Sequence, residues 1–532
     1  MNFNKIFKST LSAACIASMA VTGTSCIDYN DNVNPNEVTD DMMASDNLRT
    51  GAFFRQMLRR ILLVRDGDLI VDSDYQIAQN LTHDAYAGYA TQTLGNAGNH
   101  NQYSWNNQWV RSTYNFAYTG IMSAWNQLNQ VAGQNEQAEI QALGNVVKVL
   151  GMHRIADSFG PLNYVTFGAD GNFNPLEDVY AKFFEELDAA IDVLTQYANT
   201  GARLMSDYDL VYGGDVTNWV KLANTLRLRL AMRVVYADEA LAKAEAEKSI
   251  NHPLGFIDSK GNRPVLSGHY HPIVTIAYEF GDGPTGSGGD CVPSASIVTY
   301  MANMNDGRIS KYFKPCSDGE YHGIRIGYNT SNVSPVRAAA SKFYMDEKNE
   351  TKAPVVFIHA AESFFLRAEA ALRWNIGGDA ASLYEQGVRA SFEENDATGA
   401  DAYLAEESTP GTFTDPTTMG NNYSFTSTTT PKWDASADFE GKLERIITQK
   451  WIANFPDGCE GWAEYRRTGY PELIPVVTNN SNGTIDTRLQ VRRMPFPDTE
   501  YTNNPTGVAA GVAALGGPDN GGTKLWWDKK AR

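Results

Sequence analysis

The chain of 532 residues carries 44 Lys and Arg against 62 Asp and Glu, a formal net charge of -18, and 42% of its residues are hydrophobic. This is a globular composition, and the acidic balance argues against a nucleic-acid partner, because phosphate binding requires clustered cations. Five cysteines in a chain of this length argue against a disulfide scaffold. The lack of a long apolar run beyond the N-terminus argues against a multi-span membrane protein.

Residues 1–25 have the features of an export signal. Two lysines precede an apolar run at 11–21, which is about half of the roughly 20 residues that a spanning helix needs. The tetrapeptide Gly23-Thr24-Ser25-Cys26 looks like a bacterial lipobox, so we expect cleavage before Cys26 and lipid on its sulfur. An ordinary signal peptide with an incidental cysteine is the alternative. The polar residues 26–46 are interpreted as a lipid anchor and surface tether.

The body of the chain is predicted to consist mainly of paired helices. After a first amphipathic helix at 48–64, apolar residues recur at helical spacing and turn residues separate the segments. Alanines at close-packing positions and a Gly-Asp turn give these pairs the look of tetratricopeptide repeats. The predicted pairs are 114–133 with 139–159, 175–198 with 216–237, 358–374 with 380–393, and 439–455 with 460–467.

Two long insertions interrupt the helical pattern. Residues 238–355 are loop-like and strand-like, and residues 409–437 are rich in Thr, Ser and Asn. Because helical repeats cannot bury their apolar faces alone, we predict that about four pairs stack into one core. The expected fold is therefore mostly α, a single helical domain over 47–532 with the partly β insertions gathered on one face.

The segment 99–109 is the first candidate binding site. Sugar binding without catalysis uses flat aromatic rings against the C–H faces of pyranoses and amides or carboxylates against the hydroxyls. Tyr103, Trp105 and Asn107 alternate along the chain, so an extended backbone would present all three on one face. The alternative is that Trp105 and Trp109, four residues apart, pack into the core from one helix face.

The second candidate binding site lies in the polar insertion. Tyr423, Phe425 and Trp433 are rings in a loop that offers little core for them to join. The alternative is a loop that folds back and buries these rings.

No metal site or cofactor site is predicted. His269 and His271 lack a nearby third ligand and are interpreted as ordinary polar side chains. Cys291, Cys316 and Cys459 include no CxxC pair, although a bridge between Cys291 and Cys316 remains possible. A GxGxxG stretch at 281–286 is not followed directly by a helix, so a flexible loop is the better interpretation.

No catalytic residue is predicted either. Carboxylate pairs such as Glu460 with Glu464, or Asp207 with Asp209, are of the kind that a glycoside hydrolase uses. Among 62 acids, however, such pairs are expected by chance. For Glu464, ion pairs with Arg466 and Arg467 that fix helix ends are the preferred interpretation.

Several blocks together resemble SusD/RagB proteins. They are LGMHRIADSFGPL at 150–162, GGDVTNWVKLANTLRLRLAMRV at 213–234, IITQKWIANFPDGCEGWAEYRRTGYPEL at 446–473 and RMPFP at 493–497. Their order and spacing agree with the family over nearly the whole chain after Cys26. A departure stands at Asn305-Asp306-Gly307, where relatives often place Pro after the Asp.

The resemblance implies a function that the residues alone do not give. Such proteins are non-enzymatic outer-membrane lipoproteins of Bacteroidetes-type bacteria, exposed at the cell surface. They capture oligosaccharides and deliver them to a partner TonB-dependent transporter of the SusC type, and some members serve peptides. The acidic residues after Cys26 resemble the signal for surface export in these bacteria. Peptide capture and, less strongly supported, glycoside hydrolysis remain the alternative functions.

Overall fold

Helices dominate the part of the chain that the structure describes. The computed structural model describes residues 47–64, 72–93, 100–273, 290–344 and 354–531. The export signal, Cys26, the tether and the GxGxxG stretch lie outside these ranges. The helices in them are α1 (Leu48–Arg60), α2 (Asp72–Tyr75), α3 (Asn107–Ala117), α4 (Ser123–Gln134), α5 (Ala138–Phe159), α6 (Leu176–Ala198), α7 (Val216–Val234), α8 (Glu239–Ile250), α9 (Ala295–Asn303), α10 (Ile309–Tyr312), α11 (Ser334–Ala339), α12 (Ala360–Trp374), α13 (Ala380–Glu394), α14 (Ala400–Leu404), α15 (Phe439–Ala453), α16 (Gly458–Thr468), α17 (Asp498–Asn503) and α18 (Pro505–Leu515).

Aspartates begin many of the scaffold helices. Each accepts a hydrogen bond from a backbone N–H in the first turn, which satisfies a donor that the helix itself leaves free. These N-caps are Asp215 (α7), Asp238 (α8), Asp379 (α13), Asp438 (α15) and Asp457 (α16). A polar cap before an apolar periodic run is the local signal that makes these helices predictable from sequence.

The scaffold is a stack of neighbouring helices. The helices α4 to α8 pack against one another in chain order, α12 packs against α13, and α12 also contacts α7, α8 and α15. Apolar residues of α6 such as Val179, Phe183 and Leu187 are fully buried at helical spacing. The mostly α prediction with a tetratricopeptide-like scaffold is confirmed.

Helix α8 corrects the expected loop at the start of the 238–355 insertion. Its buried residues are Ala242, Glu245, Ala246 and Ser249, all small or polar. The packing face is therefore almost devoid of the large apolar residues that a helical pattern requires. Asp238 is the cap that could have indicated the helix.

The predicted helix at 114–133 begins earlier and is not uniform. Asn106 caps α3 by accepting from Gln108 N at 3.0 Å, and Tyr118–Met122 forms a π-helical stretch between α3 and α4. Gly120 in this stretch approaches α1 so closely that a Cβ there would lie 2.4 Å from Arg60 Cγ. A second π-helical stretch, Gln76–Asp84, follows α2.

The strands in the described residues are short and pair two by two, all antiparallel. The pairs are β1 (Ala90–Gln92) with β3 (Cys291–Pro293), β2 (Val265–Tyr270) with β6 (Pro354–Val356), β4 (Phe313–Lys314) with β5 (Lys342–Phe343), and β7 (Thr412–Phe413) with β8 (Tyr423–Ser424). Cys291 on β3 and Cys316 after β4 are both free thiols, so the structure has no bridge between them.

Ten charged side chains form a buried charge cluster at the centre of the helical scaffold. Five are cations and five are carboxylates, and each side chain is at most 9% exposed. The members are Asp157, Arg229, Arg233, Glu362, Glu369, Arg373, Lys450, Glu460, Glu464 and Arg467. Because an unpaired charge is costly to bury, this core is stable only if its cations and carboxylates neutralise one another.

Arg233 contacts three carboxylates of the buried charge cluster. Its guanidinium lies 2.5 Å from Glu460, 2.6 Å from Glu464 and 3.2 Å from Asp157. Burial alone would raise the pKa of the Glu460 carboxyl, but the attraction of Arg233 and Lys450 outweighs burial and leaves that pKa well below its usual range. The cluster thus joins α5, α7, α12, α15 and α16 through ionised groups.

Candidate ligand-binding site

Tyr103 lies inside the protein rather than on an extended binding face. It follows a 3-10 turn at His100–Gln102 and adopts a left-handed backbone with φ of 62°. Its side chain is 3% exposed, and its hydroxyl has no hydrogen-bond partner among the described residues. Burial raises the pKa of this phenol. The expected extended segment is therefore wrong, because the turn and the start of α3 break the alternation; the ligand role of Tyr103 stays a prediction.

Trp105 is half-buried and in contact with two other rings. Its ring meets His100 and Tyr86 in edge-on contacts with centroid distances of 5.4 Å and 6.4 Å. A Cβ on Gly521 would lie 2.6 Å from Trp105 Cζ2, so the indole packs closely against the backbone of this glycine. This is a ring fixed in position with part of its surface still open.

Asn107 is exposed at the first position of α3. Its amide donates to Asp498 Oδ2 at 3.3 Å, and the same carboxylate pairs with Arg111. The hydrogen bond from Arg111 lowers the pKa of Asp498. Asn107, Arg111 and Asp498 thus form a surface group of hydrogen-bonding side chains two residues from Trp105 in sequence.

Tyr423 and Phe425 are brought together at the β7–β8 hairpin. Their rings meet edge-on at 5.3 Å, and Phe425 packs on Tyr300 of α9 at 5.1 Å. The Tyr423 hydroxyl donates to Glu472 at 2.7 Å, and Arg325 lies 5.6 Å from the centre of the Tyr423 ring. Burial, together with the bond to Glu472, raises the pKa of Tyr423. Both rings remain partly exposed.

Trp433 takes a different position. Its half-buried ring packs at 5.2 Å against Tyr384 of α13, whose hydroxyl donates to the carbonyl of Pro431 at 2.5 Å. The end of the insertion thus folds back onto the helices, as the alternative interpretation of this loop anticipated. Its ligand role stays a prediction.

Hydrogen bonds connect three of the loops, and Arg325 links them to the fourth through the Tyr423 ring and the carbonyl of Asn422. The connected segments are here named the loop strip. It comprises residues 100–105, 325–328, 423–427 and 475–480. The joining bonds are Gln102 Nε2 to Tyr328 O (2.9 Å), Asn480 N to Gln102 O (2.7 Å), Thr478 N to Gly327 O (3.1 Å) and Arg325 Nε to Pro475 O (2.9 Å). Trp105 lies in the first segment of the strip and Tyr423 in the third.

The sequence did not identify the polar residues of the loop strip or Glu472, which hydrogen-bonds to the strip. Arg325 stacks near Tyr423, Asn480 is exposed, and Glu472 accepts from Thr426 N at 2.9 Å as well as from Tyr423. Arg325 lies in one loop, Glu472 and Asn480 lie in another, and no local motif marks them. Only their meeting in the fold identifies them.

A cavity of about 300 Å³ lies apart from the predicted ligand residues. Its described lining includes His271, Arg263, His359, Glu394 and Asp457, and none of the six predicted ligand residues. Burial lowers the pKa of His271 to about 3. The neighbouring His269 is only partly buried and its ring contacts the carbonyl of Ser267.

Three of the four carboxylates considered for hydrolysis have structural partners, whereas Asp207 is exposed. Glu460 and Glu464 belong to the buried charge cluster, and Glu464 lies 2.6 Å from Arg467, in agreement with the interpretation of internal ion pairs. Asp209 is 5% exposed; it accepts from Trp219 Nε1 at 2.7 Å and from the backbone N–H of Gly214 at 2.8 Å. These three carboxylates are committed to holding loops and helices.

A helical scaffold that carries a polar and aromatic loop strip is the architecture of a binding protein. The family model described as SusD-like, Susd and RagB outer membrane lipoprotein, matches residues 28–528. The chain therefore belongs to this family, and the resemblance seen in the sequence blocks is confirmed.

Solved structures of relatives match over nearly their full length. A chitin-binding SusD homolog from Flavobacterium johnsoniae has 37% sequence identity and a TM-score of 0.84, covering 91% of this chain and 99% of its own. SusD homologs from Bacteroides uniformis (36%, 0.83, 91% and 99%) and Bacteroides vulgatus (33%, 0.84, 91% and 98%) are also similar. None of the curated proteins compared by sequence matches the chain. Within the described ranges, no helix has the length and apolarity needed to cross a membrane.

Proposed function

We propose that the chain is a cell-surface lipoprotein that binds oligosaccharides without hydrolysing them and delivers them to a partner TonB-dependent transporter of the SusC type. The observation that carries the ligand class is the 37% identity, over 91% of the chain, to a structure described as chitin-binding. A lipid on Cys26 would attach the chain to the outer membrane, in keeping with the description of the family.

The loop strip offers the chemistry that oligosaccharide binding needs. Trp105 and Tyr423 are half-buried rings already held by neighbouring side chains, so little side-chain entropy is lost when a sugar ring stacks on them. Gln102, Arg325 and Asn480 use part of their hydrogen-bonding capacity to join the loops and keep further donors and acceptors for hydroxyls. This combination supports binding by stacking and hydrogen bonding.

Peptide capture by the same strip is the second candidate function, because aromatic and amide groups also suit an extended backbone. Glycoside hydrolysis is less favoured. The carboxylates of Glu460 and Glu464 are buried and paired with cations, so they have neither the access nor the raised pKa of a general acid.

A calorimetric titration of the purified chain with N-acetylglucosamine oligosaccharides, other glycans and a peptide mixture tests the ligand class. We expect heat of binding with at least one oligosaccharide and no change in its chain length after prolonged incubation. Binding to peptides alone would replace the oligosaccharide proposal with the peptide one. Hydrolysis would be established if the wild-type chain shortened an oligosaccharide and a variant with one altered carboxylate did not.

Single alanine variants test the loop strip. We expect Trp105→Ala and Tyr423→Ala each to raise Kd by about tenfold, which corresponds to roughly 1.4 kcal/mol. Phe439→Ala is the matched control, since Phe439 is an exposed ring on the first turn of α15, outside the strip. Unchanged affinity in both strip variants, with circular dichroism showing folded protein, would reject this placement.

The anchor and the partner need a separate test in a bacterium that exports the chain. We expect Cys26→Ser to abolish incorporation of labelled fatty acid and to release the protein from outer-membrane fractions. The wild-type chain should co-purify with a TonB-dependent transporter after mild detergent extraction. Labelling that persists in Cys26→Ser would contradict the proposed lipid site.

A further inference from the structure

A surface turn between β4 and α11 brings three different metal-ligating side chains together. The Sγ of Cys316, a carboxylate oxygen of Asp318 and a ring nitrogen of His322 all lie within 4.8 Å of one another. The side chains of Asp318 and His322 are 54% and 29% exposed, so an ion in solution can reach them. The spacing C-x-D-x3-H is not one of the common zinc patterns, and the sequence alone therefore gave no reason to group them.

The backbone around the turn fixes the positions of these ligands. Cys316 N donates to Glu320 O at 2.8 Å, and Gly319 N donates to Cys316 O at 3.0 Å with Gly319 at a φ of 86°. The Glu320 backbone N–H donates to Asp318 Oδ1 at 3.0 Å. That bond occupies one carboxylate oxygen and leaves Oδ2 directed at His322 Nε2, 2.7 Å away.

Ser341, on the neighbouring chain segment, supports two of the three ligands. Its hydroxyl is buried, accepts from the His322 backbone N–H at 3.0 Å and lies 3.7 Å from Cys316 Sγ. The Ser341 backbone N–H donates to His322 O at 2.9 Å. With its acceptor role filled, the hydroxyl can donate its proton to a sulfur that carries negative charge, as outer groups around metal ligands commonly do.

We propose that Cys316, Asp318 and His322 bind one Zn²⁺ ion, with water as the fourth ligand. Thiolate, imidazole and carboxylate are the donors that Zn²⁺ prefers, and one thiolate with one carboxylate neutralises its charge. Binding releases the thiol proton, together with the ring proton of any His322 that is charged. Around tetrahedral zinc the ligand atoms stand about 3.4–3.6 Å apart, so small side-chain rotations convert the 2.7 Å contact between Asp318 and His322 into metal bonds.

Zinc titration of the full chain, purified in detergent and stripped with a chelator, tests the proposal by competition with a chromophoric chelator. We expect one Zn²⁺ per chain at this site and at least a tenfold loss of affinity in Cys316→Ser and in His322→Gln. Asp318→Asn keeps the acceptor for Glu320 N and so retains the turn while weakening the site. His269→Gln, a partly exposed histidine outside the turn, is the matched control and should bind as the wild type does.

Cobalt substitution gives an independent readout of the sulfur ligand. Co²⁺ bound at this turn should show a thiolate charge-transfer band in the near ultraviolet that is absent in Cys316→Ser. Zn²⁺ should also protect Cys316 from alkylation, whereas Cys291 and Cys459 are buried with or without metal. Zinc affinity and a cobalt spectrum that are the same in wild type, Cys316→Ser and His322→Gln would overturn the proposal. None of these outcomes depends on the proposed function.

Discussion

At the scale of single residues, backbone conformation separates side chains that look equivalent in the sequence. Tyr103 and Trp105 are two residues apart, yet Tyr103, which has a left-handed backbone, is buried in the core, while Trp105 remains partly exposed. The sequence correctly marked this segment as rich in rings and amides. It could not give their exposure, because that depends on distant partners such as Gly521.

Tyr103→Phe separates a core role from a ligand role. If Tyr103 only fills the core, removing a hydroxyl that lacks a partner among the described residues should leave the free energy of unfolding within about 0.5 kcal/mol or raise it. Glycan affinity should then be unchanged. A loss of affinity with unaltered thermal unfolding would assign the hydroxyl to the ligand instead.

At the scale of elements, the prediction succeeded where a cap and an apolar stripe occur together. The helices α6, α7, α12, α13 and α15 have clear stripes, and Asp215, Asp379 and Asp438 mark three of their starts. Helix α8 was missed because its packing face consists of small and polar residues. Of the buried charge cluster only the ion pairing of Glu464 was anticipated, since Arg and Glu in a helical pattern suggest an exposed face.

Arg233→Gln tests how much the elements depend on this cluster. Removing the guanidinium leaves Glu460, Glu464 and Asp157 short of a cation in a buried site, so we expect a loss of about 3–5 kcal/mol in the free energy of unfolding. Arg389→Gln is the control, because its pair with Asp401 is exposed and should contribute less than about 1 kcal/mol. Urea unfolding of both variants measures the change in the free energy of unfolding. An equal decrease in the two variants would contradict the central role of Arg233.

At the scale of the whole molecule, several buried histidines set the direction of the pH response. Burial lowers the pKa of His83, His100, His153 and His271 to about 3. In the unfolded chain a histidine titrates near 6.5, so between these values the unfolded chain binds more protons. Stability is therefore lost as the pH falls below about 6.5. Asp84, whose pKa burial raises to about 7, acts in the opposite direction.

With four histidines against Asp84, we expect a lower Tm at about pH 5 than at about pH 7.5, each histidine contributing at most roughly 2 kcal/mol of the difference. Scanning calorimetry at the two values measures the effect. An equal or higher Tm in acid would contradict the assignment of these histidines as neutral.

The buried charge cluster also has a consequence for the order in which the chain matures. Arg233 is separated from Glu460 and Glu464 by 227 and 231 residues. While a ribosome is still making the middle of the protein, the cations of α7 have no carboxylates from α16 to neutralise them, and the core cannot close around them. We therefore expect the core around Arg233 to remain incomplete until the last quarter of the chain has been synthesised.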